Sequence, residues 1–201
     1  MVMEEITEEP GALVERIAAL DVGKATLTVC VRVPHEDKPG ARRQEVLGDD
    51  AISMDEEELR RIHATAQVAR WWDAPGESFP WDEPESTRLT ILADGAVAGL
   101  IQFREELEPK YRHAEIDLFL DPALHGRGIG TEAVRLIVRH LIDDRGHHRL
   151  AIDPARTNAA AIRAYEKVGF KPVGVMRRSE RDADGEGWHD ALLMELLAEE
   201  V

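Results

Sequence analysis

Residues 125–134 read HGRGIGTEAV, with glycine at 126, 128 and 130 and helical spacing directly after. Glycine has no Cβ, so the backbone there can approach a ligand closely and adopt positive φ. The first turn of a helix leaves its N–H groups without intrahelical partners and carries the positive end of the helix dipole. A glycine loop that opens a helix is therefore an anion site, suited to phosphate or pyrophosphate. Two familiar nucleotide motifs fail on spacing. A dinucleotide-binding turn needs G-x-G-x-x-G in an opening βαβ unit with an acid about 20 residues later, and a P-loop needs G-x-x-x-x-G-K-[ST].

Working outward, Ala114–Leu120 (AEIDLFL) predicts a strand leading into the loop. Before it, strands at Thr87–Ala93 and Val97–Arg104 flank Asp94-Gly95 and predict a hairpin. MDEEELRRIHATAQVARWW (54–72) predicts one helix, with acids in its first turn and Leu59, Ile62 and Ala66 on its apolar face. The Pro-, Gly- and acid-rich segment 73–86 predicts a loop. After the glycines come a helix at Thr131–Asp143, a strand at His148–Ile152 and a helix at Asn158–Val168 stopped by Gly169. Strands at Phe170–Met176 and Ala191–Leu197 close the set. Antiparallel strands feeding a β–loop–helix–β–helix–β half predict an α/β (α+β) fold: a mixed, mostly antiparallel sheet with flanking helices.

The 201 residues, 43% apolar, suffice for one domain and an appendage. With 40 acidic against 25 basic side chains the net charge is −15, which disfavours nucleic acid and anionic membranes and favours cationic partners. No apolar run is long enough to span a membrane, and the start MVMEEITEEP has no apolar leader core. The single cysteine, Cys30, sits in an alternating stretch that predicts a buried strand; it excludes an internal disulfide and fits a reducing cytoplasm. The eight histidines include His147-His148 but no i,i+4 ligand pair with a supporting carboxylate, so no metal is expected.

The loop resembles the acyl-CoA loop of the GNAT N-acetyltransferase superfamily, [QR]-x-x-G-x-[GA], with His125, Gly128 and Gly130 in the fixed places. His125 departs from the usual Gln or Arg. The resemblance extends to NAAAIRAYEKVGFKPVG (158–174), which follows the family's N-x-x-[AS]-x-x-x-Y-x-x-x-G-F block. It covers roughly residues 55–197 and implies a GNAT fold with acetyl-CoA as cosubstrate. The N–H groups around Gly126, Arg127, Gly128, Ile129, Gly130 and Thr131 would then hold the pyrophosphate, with Arg127 adding charge. Leu118, Phe119 and Leu120 would offer the pantetheine arm a splayed strand edge. Asn158 would cap its helix and meet the cofactor, and Tyr165 would protonate the departing thiolate.

The match narrows toward the aminoglycoside 6′-N-acetyltransferases through IDLFL, the glycine loop and ID-P-x-x-x-N-x-x-A-I-R-x-Y-E-K-x-G-F. That resemblance implies Asp117 as catalytic base and substrate ligand, and Asp153 as a second ligand for ammonium groups. Trp71 and Trp72 would line the antibiotic site, with Glu105, Glu106 and, more weakly, Glu108 as further acids. The implied partner is a small polycation, with monomer and homodimer both open. Two rivals stand beside this reading: a GNAT enzyme acting on protein N-termini or another cationic amine, and a nucleic-acid binder. The second comes from residues 9–48, which resemble the start of a DEDD-type insertion-element transposase, Asp21 matching its first catalytic acid. No partner carboxylates follow, and one aspartate cannot build a two-metal site. The expected division is an appendage at 1–48, a fusion remnant, and an acetyltransferase domain at 49–201.

Overall fold

The computed structural model describes residues 27–30, 33–34, 42–43, 56–80, 83 and 85–201. Among the described residues the first elements are short strands β1 (Leu27–Cys30), β2 (Val33–Pro34) and β3 (Arg42–Arg43), then helices α1 (Glu56–His63) and α2 (Ala66–Trp72). Strands β4 (Thr87–Ala93), β5 (Ala96–Glu106) and β6 (His113–Leu120) follow. Helix α3 (Ile129–Arg139), β7 (Arg149–Ile152), α4 (Ala159–Glu166), β8 (Lys171–Arg181) and β9 (Trp188–Leu197) complete the order. One sheet runs β1-β4-β5-β6-β7-β9-β8, and β2 pairs with β3 apart from it. The β1–β4 and β6–β7 pairs are parallel and the rest antiparallel, which gives the mixed sheet expected. Asp21 and the transposase-like reading of residues 1–48 lie outside the described residues, apart from these three short strands.

The sheet buries both faces, because its strands place apolar residues on alternating sides. One core holds Leu89, Ile101, Phe103 and Ile116 against Ile129, Val134, Ile137 and Leu141 of the α3 region and Tyr165 of α4. The other packs Leu100 and Phe119 against Leu59, Ile62 and Val68 of α1 and α2.

Four elements differ from expectation. The single helix over 54–72 is two, broken where Thr65 turns extended (φ −65°, ψ 142°) and its hydroxyl donates to the Ile62 carbonyl at 2.8 Å. A β-branched hydroxyl residue that bonds the preceding turn competes with helix continuation; Ala66 becomes exposed and Val68 takes the buried place. Helix α3 starts two residues early, so that Ile129 is buried, and widens after Arg139 into a π-type turn over His140–Asp144. The last two strands are longer than predicted, because charged RRSER and the polar hairpin end hide the strand pattern.

Two features position the site. Gly99 (φ +157°) lies so close to β6 that a Cβ there would sit 2.1 Å from the Phe119 carbonyl oxygen. Gly99→Ala is expected to cost about 3 kcal/mol, as overpacking against an immovable backbone does; denaturant titration reads it. The second feature is a tear. Strands β6 and β7 pair only at Ala114↔Leu150 and Glu115↔Ala151, and from Ile116 onward they splay apart.

Candidate active site

The glycine loop sits at the mouth of this tear. Gly126 (φ 77°) and Gly128 (φ 84°) occupy left-handed backbone with nothing near the missing Cβ, so conformation rather than space requires glycine. Gly130 has ordinary φ, but a Cβ would meet Leu120 Cδ1 at 3.0 Å: here glycine lets α3 press onto β6. Gly128 caps α3 without a side-chain bond, which leaves the first N–H groups of the helix facing outward for an anion.

A cleft of about 720 Å³ runs from this loop along the tear. It is lined by Leu118, Phe119, Leu120, His125, Gly126, Gly128, Ile129, Gly130, Thr131, Asn158 and Tyr165. Arg127 is exposed and outside these walls. Asn158 caps α4, its Oδ1 accepting from the Ala161 N–H at 3.2 Å. The helix stops at Gly169 (φ 122°), whose N–H donates to the Tyr165 carbonyl at 3.1 Å.

A second pocket of about 230 Å³ adjoins the cleft and shares Trp71, Trp72, Leu118, Asn158, Ala161 and Tyr165 with it. Its own walls carry three carboxylates, Asp117, Asp153 and Glu180, with Ser179 beside them. Trp72 is fixed by edge contact with Phe119 at 5.0 Å and by His63, whose Nε2 lies 3.1 Å from the Trp72 carbonyl. Trp71 stands under the Arg70 guanidinium at 4.6 Å and meets His189 edge-on. His189 in turn lies 3.2 Å from Glu180 and 3.0 Å from Asp182, tying the β8–β9 hairpin to the pocket wall.

Crowding acid groups under protein atoms disfavours their charged forms. Burial, then the charge of Asp153, push the Asp117 carboxyl up to about 8. The Leu118 N–H, which donates to Asp117 Oδ1 at 2.9 Å, opposes that rise. Asp153 is raised to about 6 by burial and by Glu115 and Glu180. Both carboxylates also meet solvent at the pocket mouth. Tyr165 is buried, and burial with the charges of Asp117 and Asp153 hold its phenol well above the ordinary 10. The site thus contains a carboxyl of raised proton affinity, a phenol that stays protonated, and a cluster of acidic side chains between indole walls.

Residues 53–170 match the acetyltransferase (GNAT) family. The chain belongs to that family. Spermidine N(1)-acetyltransferase of Escherichia coli K12 is 28% identical over 134 residues, covering 60% of this chain and 72% of the relative. Aminoglycoside N(6′)-acetyltransferase type 1 of Klebsiella pneumoniae is 35% identical over 94 residues, 47% of this chain and 45% of the relative. Among solved structures, aminoglycoside acetyltransferase AAC(6′)-Ib with coenzyme A superposes with a TM-score of 0.58 at 25% identity, over 71% of this chain and 89% of that one. RimJ of Mycobacterium smegmatis, at 22% identity, shares the fold over 73% of this chain and 79% of its own, with a TM-score of 0.63.

The acetyltransferase does not bring Glu105 and Glu106 to either cavity. Glu105 is taken up by Arg145 Nη2 at 2.6 Å and buried His147 Nε2 at 2.7 Å. Glu106 is exposed and accepts from the Glu108 N–H at 2.8 Å. Both sit at the far end of β5, opposite Ala114 and His113, whereas Asp117 is level with Gln102. Sequence reasoning missed Glu180. It lies in a charged run with no alternation to read, and only the β8–β9 pairing turns it toward the pocket. Among the described residues no group of three His, Cys, Asp or Glu side chains is placed to hold a metal. Nor is any described helix long and apolar enough to cross a membrane.

Proposed function

We propose that this acetyltransferase moves the acetyl group of acetyl-CoA to a primary amine of a small polycation. The leading acceptor is the 6′-amine of an aminoglycoside antibiotic, with resistance as the outcome. The observation that carries the acceptor is the convergence of Asp117, Asp153, Glu180 and two indoles on one pocket beside the cleft. Ammonium groups are held by carboxylates and by aromatic faces alike. The donor half rests on the cleft: left-handed glycines and the free N–H groups of α3 suit a pyrophosphate, and the unpaired edge of β6 suits an amide-bearing arm.

The roles follow from position. Acetyl-CoA supplies an acyl group activated as a thioester. Asp117 takes a proton from the acceptor ammonium, the freed amine attacks the acetyl carbon, the C–S bond breaks, and Tyr165 gives its proton to the leaving sulfur. A base near 8 is well matched to an amine titrating a little higher.

A linear polyamine is the second reading. It is favoured by the modest size of the pocket, about 230 Å³, and by the likeness to the spermidine enzyme over most of that relative's length. Thiol release from acetyl-CoA with kanamycin, tobramycin, spermidine and basic peptides as acceptors separates the readings. Release with the drugs at far higher kcat/KM than with spermidine or peptides is the expected result. A preference for spermidine or for peptide N-termini replaces the aminoglycoside and leaves acetyl transfer standing.

A further inference from the structure

Strands β4, β5 and β6 carry one polar row across the face of the sheet that α1 and α2 cover. Arg88 stands opposite Gln102, and Gln102 stands opposite Asp117. Directly opposite residues on antiparallel strands share a face, with Cβ atoms about 4.5–5.5 Å apart. The next row on that face, Thr90, Leu100 and Phe119, is buried under the helices. Gln102 is the one polar side chain in the buried run Ala98–Phe103 of β5. A buried carboxamide beside a buried guanidinium loses its water and is retained only where its bonds are made.

Arg88 is locked in place. Its Nε donates to Gln102 Oε1 at 2.7 Å and its Nη1 to the Pro80 carbonyl at 2.7 Å. Its Nη2 pairs with Glu83 at 2.9 Å, and the guanidinium lies 5.5 Å from the centre of the Phe79 ring. A guanidinium only donates, so the Gln102 atom that meets it is the carboxamide oxygen. The orientation of the amide is thereby fixed, and its NH2 is left for the other neighbour in the row. That neighbour is Asp117. A carboxamide and a carboxylate at opposite positions reach one another directly or through one water. Asp117 Oδ1 accepts the Leu118 N–H at 2.9 Å, so a donor from β5 braces the carboxylate from a second side.

We infer that Gln102 is a positioning residue for acetyl transfer: Arg88 sets its amide, and the NH2 holds Asp117 ionised and aimed at the acceptor amine. The inference rests on the reading of Asp117 as the base. The charged groups that face Asp117 are Asp153 after β7, Glu180 of β8 and Glu83 before β4. All three are anions and favour its protonated form, and the Tyr165 phenol faces it from α4. A neutral donor opposes those anions without setting a cation where the acceptor ammonium has to stand. Gln102 thus separates the Arg88 charge from the pocket while passing on its orientation.

Thiol release across pH by Gln102→Glu and Gln102→Met tests this, with whichever acceptor the wild type prefers. The glutamate keeps an oxygen for Arg88, and so keeps the buried contact, but it has no NH2. Both variants are expected to move the rising limb of the rate up by about one pH unit, which is about tenfold in kcat at pH 7. KM for acetyl-CoA is expected to stay unchanged. A purely structural Gln102 would lower the melting temperature of the Gln102→Met variant and leave the limb in place, and that result overturns the inference. So does a Gln102→Glu enzyme with wild-type kcat and limb, even where the methionine variant fails to fold. Asp117→Asn run alongside separates the two claims. Loss of the limb there, with the limb unmoved in the Gln102 variants, removes Gln102 alone; a limb that survives Asp117→Asn removes the base and Gln102 together.

Discussion

Asp117→Asn is expected to lower kcat/KM for the acceptor amine about 10²–10⁴-fold, the range for loss of a general base, and to raise stability at alkaline pH. The two effects have one cause. The carboxyl titrates at an ordinary 3.8 in the unfolded chain and up to about 8 in the fold. Between those values the folded state keeps a proton that the unfolded state releases. Stability therefore falls as pH rises through this window, and an amide at position 117 is spared that loss. Water in the open pocket screens the group, so the gain is discounted to about 1 kcal/mol, or about 2–4 °C in Tm at pH 9. The wild-type rate should climb with pH through about 8, and the variant should lose that limb. Near-normal turnover, or a variant less stable than wild type at pH 9, would remove Asp117 from the role of base.

Tyr165→Phe is expected to reduce kcat about 10²-fold, with little change in KM for either substrate. The ring remains to fill the core beside Phe170, its centroid 6.3 Å away, and only the proton donor is lost. The phenol is held protonated partly by the charges of Asp117 and Asp153. Once Asp117 has accepted the amine proton, one of those charges is gone and the phenol releases its own proton more readily. The two transfers thus reinforce one another, and their pH dependence belongs to the pair. Steady-state rates with saturating acetyl-CoA read the loss; a Phe variant within threefold of wild type would show that another group protonates the sulfur.

What could be read from the chain, and what could not, divides along physical lines. The glycine loop was legible because left-handed backbone and close helix–strand contact both select glycine, and the structure assigns Gly126 and Gly128 to the first cause and Gly130 to the second. The order of strands and helices followed from apolar periodicity, and the cap and stop of α4 followed from Asn158 and Gly169. The break at Thr65 was not legible, since one hydroxyl-to-carbonyl bond decides it within a helical pattern. The fates of Glu105 and Glu180 were not legible either. Strand register gives one carboxylate to Arg145 and His147 and the other to the pocket it shares with Asp117 and Asp153, and register is a property of pairing between distant segments.

The tear between β6 and β7 also makes the sheet two leaves, β1-β4-β5-β6 and β7-β9-β8, joined by two register pairs. From Ile116 to Leu120 the amides that turn away from β5 have no strand on that side, and Asp117 gives one of them, Leu118, a substitute acceptor. Local openings are governed by such sparse backbone pairing. These amides are expected to exchange with deuterium faster than their neighbours on β5, and to slow on addition of CoA; unchanged exchange would mean that the ligand lies elsewhere. A bound donor would then act as the missing strand, and the metabolite supply would set how tightly the two leaves close.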